Sequence, residues 1–178
     1  MIPSPFCGIM GEMEGIVRMK ILGLIFDPHL NTTVVVLLDP EREKVLPIWI
    51  GAMEGNAIAM GMEKVATPRP MTHDLLKNML EEFQAVVEKV VVTELKDDTF
   101  YALIYLTVGG EQLEIDSRPS DAIALAVRAQ APIYCTEKVL KEAADLGILK
   151  EKREIEESEE LSKWLERLSP EVFGKYKM

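Results

Sequence analysis

The pattern of apolar and polar positions divides the chain into strands, turns and helices before any composition is needed. Residues 16–25 are rich in β-formers, with a polar break at Arg18 and Lys20, and Thr32 to Leu38 is an apolar run suited to a sheet centre. Asp39-Pro40-Glu41 turns the chain, and Leu46 to Ile50 predicts a third strand, with Pro47 near its start, where proline is tolerated. After the break at Gly51, Glu54 to Val65 predicts a helix whose wide apolar face carries Ala57, Ile58, Met60, Met62 and Val65. A connector, Thr67-Pro68-Arg69-Pro70-Met71, leads to a second helix over about 73–83. Thr72 is its expected N-cap, with Asp74 in its first turn, and Leu75, Leu76, Met79, Leu80 and Phe83 are expected to be buried.

Three more strands follow, over 86–95, 100–108 and 113–115, separated by the hairpin turns Lys96-Asp97-Asp98-Thr99 and Gly109-Gly110. Then comes Ser117-Arg118-Pro119-Ser120-Asp121. Pro119 suits the first turn of a helix, where its missing N–H is no loss. Asp121 adds a negative charge at the positive end of that helix. Ala122 to Val127 is apolar almost all round, which predicts a helix buried on most of its surface. Pro132 ends it, Ile133 to Cys135 predicts a short strand, and Thr136 caps a helix running to Leu146, with Gly147 as its terminator.

The order hides a repeat. Shifted by 65 positions, Asn56 to Met62 falls on Asp121 to Val127, sharing an Ala-Ile-Ala core, and Ile48 and Ile50 fall on Leu113 and Ile115. The fold class expected is α/β in the mixed, α+β sense: two β3-α repeats, 15–66 and 86–131, joined by a linking helix over 72–84. The domain is placed at 15–140, and 141–178 is a helical C-terminal extension. In that extension Lys150 to Glu160 is a charge run, and Leu161, Trp164, Leu165 and Leu168 form an amphipathic stripe.

Composition narrows the class. A chain of 178 residues with 48% apolar content makes one domain with an ample core. No run approaches the roughly 20 apolar residues of a membrane span. The opening segment lacks a basic stretch and a clear cleavage site, and Cys7 and Cys135 show no metal-ligand spacing. A reduced cytoplasmic protein is the reading that follows. The net charge of −10 opposes casual binding to nucleic acid.

Several uncommon strings occur in one order: LPIWIG followed by Glu54, RPMTHDLL from Arg69 to Leu76, Phe100-Tyr101-Ala102, and IDSRPSDAIALAVR from Ile115 to Arg128. Together they resemble the bifunctional nuclease family, named for DNase and RNase activity of plant members. The resemblance covers about Val17 to Leu140. It implies a duplicated β3-α architecture with central helices between sheets, and nuclease activity on DNA, RNA or both. It brings no settled catalytic set.

The residues themselves supply candidates. Phosphodiester hydrolysis needs an activated nucleophile, stabilised phosphate charge and a helped leaving group. His73, beside Asp74, is a candidate general base. The candidate catalytic set is His73, Asp74, Asp116 and Asp121. Arg69 and Arg118 both precede a proline at a helix start, so with Ser120 they are candidate phosphate ligands. Glu54, Asp116 and Asp121 are candidates for a Mg2+ or Mn2+ site. The alternative for each is capping or ion pairing within the fold. Arg69, His73, Asp74, Asp116, Arg118 and Asp121 are expected to line one shared cleft.

Three functions compete on this reading: a metal-assisted nuclease acting on DNA or RNA, a non-catalytic oligomeric scaffold or small-anion-binding regulator, and polar turns that only pin two repeats together. The acidic balance and the lack of an aromatic-basic groove favour the second. Apolar stripes left over after the sheet and helices are covered predict a homodimer or higher homo-oligomer, with no membrane partner.

Overall fold

The computed structural model describes residues 15–27 and 31–151. Cys7 and the stripe from Leu161 to Leu168 lie outside them. The chain runs β1 (Ile16–Asp27), β2 (Thr32–Asp39), β3 (Lys44–Gly51), α1 (Ala52–Met62), α2 (Thr72–Glu82), β4 (Ala85–Lys96), β5 (Thr99–Val108), β6 (Glu111–Ser117), α3 (Pro119–Ala129), β7 (Ile133–Thr136), α4 (Glu137–Asp145) and β8 (Lys150–Glu151). This is an α+β fold, with two successive β-β-β-α runs in the expected order.

Among the described residues the strands form one eight-stranded sheet in the order β6-β5-β4-β7-β1-β2-β3-β8. The helices were expected between separate sheets; instead the two meanders are continuous with each other. The reason is β7. Its four residues pair antiparallel with β1, from Ile16↔Thr136 to Met19↔Ile133, and parallel with β4, from Val90↔Ile133 to Val92↔Cys135. One short strand between the two meanders joins them edge to edge.

The turns follow their chemistry. Asp97 and Asp98, and Gly109 and Gly110, all have positive φ, which suits two-residue hairpin turns of the type that matches strand twist. Thr136 caps α4 by accepting the Val139 N–H.

The helices divide by burial. In α3 the run Ala122 to Ala126 is fully inside, against β4 and β5 on one side and α1 on another. α1 is close-packed through small residues. A Cβ at Gly55 would fall 2.4 Å from the Thr33 Oγ1 of β2, so glycine is what lets α1 lie down on the sheet. Cys135 sits in the same core, and burial pushes its thiol up to about 12, which leaves it unreactive.

The second helix departs from expectation. Leu75, Leu76, Met79 and Phe83 are exposed, Phe83 by 69%, and Leu80 alone of the five packs on the core. An amphipathic spacing says that a helix has an apolar face; nothing else in the described chain covers this one. The N-cap of α2 is Met71, not Thr72. The Asp74 carboxylate reaches back to the Met71 N–H at 3.0 Å, and this puts Thr72 inside the first turn.

Candidate functional site

Three helices begin near one another. α1 starts after Gly51, whose missing side chain makes room for the Glu54 carboxylate: a Cβ there would lie 2.2 Å from Oε2. Glu54 thus folds back over the N-terminus of its own helix, where a negative charge is favoured. α3 starts with Arg118 as N-cap, Pro119 at the first helical position and Asp121 in the first turn. Asp121 and Ala122 both donate their N–H groups to the Arg118 carbonyl, and Pro119 has none to give. The helix entrance therefore offers a phosphate the Ser120 N–H rather than a full set. The Ser120 side chain is itself buried.

The side chains form one continuous chain of contacts. Arg118 grips Asp121 with two parallel bonds, Nε to Oδ2 at 2.7 Å and Nη2 to Oδ1 at 3.1 Å. Its Nη1 donates to Glu54 Oε1 at 3.0 Å. His73 Nε2 meets Asp121 Oδ1 at 3.1 Å. Burial alone would raise the Asp121 carboxyl, but the bonds from Arg118 and His73 outweigh it and hold the group below its usual range. An ionised carboxylate only accepts, so Nε2 carries the proton and donates, and Nδ1 is the nitrogen left with a lone pair in the neutral ring. The His73 side chain is 14% exposed, while the Arg118 side chain is 65% exposed despite both its partners. Of the five N–H donors of a guanidinium, Arg118 gives three to carboxylates, so two remain for a ligand.

The candidates thus separate. Glu54, His73, Arg118 and Asp121 come together. Asp74 turns away, toward a residue that sequence reasoning missed: Arg128 Nε donates to Asp74 Oδ1 at 2.5 Å. Arg128 Nη1 donates to two backbone carbonyls, Ala57 and Ala124, each at 3.0 Å. Asp116 is exposed on the edge strand β6, and Arg69 is exposed in the connector. Neither side chain is joined to the cluster by a hydrogen bond or ion pair among the described residues. Of the six residues expected to line one cleft, His73, Arg118 and Asp121 stand together, and Glu54 joins them through Arg118. Arg128 did leave a signal: it is the one cation in a nearly apolar helical run, seven residues after Asp121 and so on the same face.

A metal site is a separate question of ligand geometry. Among the described residues no three His, Cys, Asp or Glu side chains gather as a ligand set. Glu54 and Asp121 both address the guanidinium of Arg118, which stands where a cation would otherwise balance them. The described residues, as arranged, do not fit a Mg2+ or Mn2+ site built from Glu54, Asp116 and Asp121. No helix among them is long and apolar enough to cross a membrane.

Comparison with known proteins gives the context. The family described as the bifunctional nuclease domain matches residues 35–146, a stretch that contains every member of the cluster. An uncharacterized protein of Mycobacterium tuberculosis (strain H37Rv) is 32% identical over 174 residues, covering 92% of this chain and 98% of that protein. Bifunctional nuclease 1 of Oryza sativa subsp. indica is 28% identical over 115 residues, 63% of this chain and 34% of the plant protein. Bifunctional nuclease 2 of Arabidopsis thaliana is 30% identical over 111 residues, 61% of this chain and 33% of its own length.

Proposed function

The chain belongs to the bifunctional nuclease domain family, and from that premise we propose that it hydrolyses phosphodiester bonds in DNA or RNA where α1, α2 and α3 begin. The observation that carries the reading is the contact chain from Glu54 through Arg118 and Asp121 to His73. Asp121 fixes the imidazole orientation and favours protonation of the ring when Nδ1 takes a proton from the attacking water; the water oxygen bonds to phosphorus as the P–O bond to the leaving alkoxide breaks, and that alkoxide takes its proton from solvent. Arg118, anchored by two carboxylates, keeps two N–H donors and a fixed charge for the non-bridging phosphate oxygens. The Ser120 N–H adds a donor beside it. No step in this scheme runs through a metal ion.

The test is cleavage of single- and double-stranded DNA and RNA by purified protein, with Mg2+, with Mn2+ and with EDTA. His73→Ala is expected to lower the rate by about a hundredfold or more, as loss of a general base does. Arg118→Ala is expected to cost a similar factor. Activity that survives both changes belongs to a contaminant and ends the reading. Activity in the wild type that EDTA abolishes would place a cation in the reaction and require a ligand set different from the one expected.

A second reading, a non-catalytic oligomer that binds small anions, draws on the net charge of −10 and on the apolar stripe of α2. Leu75, Leu76, Met79 and Phe83 form the kind of exposed face that self-association covers. Both readings expect more than one copy in solution. A 20.0 kDa monomer by light scattering at micromolar concentration would reject the oligomer.

A further inference from the structure

A cavity of about 380 Å³ lies where the C-terminal ends of α1 and α3 meet the side of α2. Its wall carries three cations, Lys64, Lys77 and Arg128, and two side-chain amides, Asn78 and Gln130. Val65 and Val127 supply apolar surface. The carboxylate in the wall, Asp74, is already committed to Arg128 Nε and the Met71 N–H. The Arg128 side chain is only 7% exposed, yet its Nη2 has no hydrogen-bond partner among the described residues, since Nε and Nη1 make all its contacts. Lys64 likewise has no ion pair there, whereas Lys77 is shared with Glu81 at 2.6 Å. Three cations face one carboxylate in the wall of this hollow, on a chain whose net charge is −10, and Lys64 is the one of the three with no ion pair among the described residues.

We propose that this cavity binds a phosphate monoester of about nucleoside size, apart from the cluster at the helix starts. The chemistry assigns the parts. A phosphate dianion takes Lys64, Lys77 and the spare N–H groups of Arg128. The amides of Asn78 and Gln130 each offer a donor and an acceptor to ring or hydroxyl heteroatoms. Val65 and Val127 receive the apolar face of the body. The volume lies at the lower end of ligand pockets, room for one such molecule and not for a polymer. The inference rests on the cavity and not on the cleavage reading, so a protein that cleaves nothing still binds.

Lys64 gives the test a variant that should keep the fold. It has φ 50 and ends α1 in a Schellman arrangement, with the Lys64 N–H on the Gly61 carbonyl and the Val65 N–H on the Met60 carbonyl. Glycine is the usual occupant of that position, so Lys64→Gly relieves strain as it removes the charge. Isothermal titration with adenosine monophosphate, adenosine and inorganic phosphate is the measurement. Adenosine monophosphate is expected to bind, with adenosine and phosphate each at least about tenfold weaker. Lys64→Gly is expected to weaken the monophosphate by about tenfold, near the value of one charge-assisted bond, with no loss of melting temperature. Arg118→Ala, which removes the phosphate ligand of the other cluster, is expected to leave that affinity unchanged. The proposal is overturned by the absence of monophosphate binding at millimolar concentration, by equal affinity in Lys64→Gly, by adenosine or phosphate binding as tightly, or by loss of binding in Arg118→Ala, which would put the ligand in the other cluster.

Discussion

The two ends of α3 each hold an arginine against an aspartate, and they do opposite things with it. At the N-terminal end Arg118 is 65% exposed and spends all of its bonds on other side chains, Asp121 and Glu54. At the C-terminal end Arg128 is 7% exposed and spends most of its bonds on main chain, the Ala57 carbonyl of α1 and the Ala124 carbonyl of α3, with Asp74 of α2 as its charge partner. The second arginine ties three helices together and is held in place by the backbone itself. Gly61 belongs to that arrangement, because a Cβ there would lie 2.7 Å from Arg128 Nη1. The first arginine ties together two side chains that solvent reaches, Asp121 and Glu54. An arginine beside an aspartate at a helix end is therefore ambiguous until its remaining donors are followed. Those of Arg118 are left to solvent; of those of Arg128, Nη1 goes to the Ala57 and Ala124 carbonyls and Nη2 is left spare at the wall of the cavity.

The largest expected effect tests that contrast directly. Arg128→Ala leaves Asp74 without its cation and takes from the Ala57 and Ala124 carbonyls the side-chain donor that ties α1 to α3. Breaking a fully buried pair from one side costs about 3–5 kcal/mol; the Asp74 side chain is 34% exposed and water takes up part of that, so the expected cost is about 2–3 kcal/mol, which in a domain of this size lowers the melting temperature by about 5–10 °C. Arg118→Ala removes an exposed pair, and its stability cost is expected within about 1 kcal/mol. Thermal melts of the two variants side by side decide. If Arg118→Ala melts as low as Arg128→Ala, Arg118 is a brace too, and any loss of cleavage in that variant reports unfolding rather than chemistry.

The same contrast explains what the sequence could and could not reveal. The strands, the turns and the burial of α3 follow from local pattern, because alternation, paired glycines and an unbroken apolar run are properties of neighbouring residues. The approach of His73 to Asp121 was foreshadowed by two Arg-Pro turns that both open helices, but the distance depends on how α2 crosses α3. Arg128 stood in plain view as a charge in an apolar helix, and its partner did not, since Asp74 lies 54 positions earlier in the chain. The exposure of Leu75, Leu76, Met79 and Phe83 was not legible, because a helical stripe records an apolar face and not what covers it. Nor was the continuous sheet: β7 is four residues long, and nothing in Ile133 to Thr136 says which two strands will flank it.

The smallest effect sharpens the comparison through acid. Both Asp74 and Asp121 feel burial pushing their carboxyls up, and in both the arginine and other donors win, so each is held below its ordinary value. A carboxyl depressed in the folded state contributes stability above its unfolded pKa, about 3.9 for aspartate, and loses it as pH falls through the folded value. The melting temperature should therefore drop as pH is lowered from about 5 to below about 3, and other carboxylates, Glu94 and Glu137 among them, add to that drop. Differences between variants remove the shared part. Asp74→Asn has no carboxyl to protonate against Arg128, so its melting curve should fall less steeply with acid than that of the wild type. Asp121→Asn should flatten the curve less, because its partner Arg118 is exposed and screened by water and salt, whereas the Arg128 guanidinium is enclosed. Raising ionic strength toward about 1 M should shrink the Asp121 difference first. Equal flattening by the two variants, or a larger one from Asp121→Asn, would mean that the two ends of α3 hold their charges alike, and the division into a brace and an exposed site would fail on its own electrostatics.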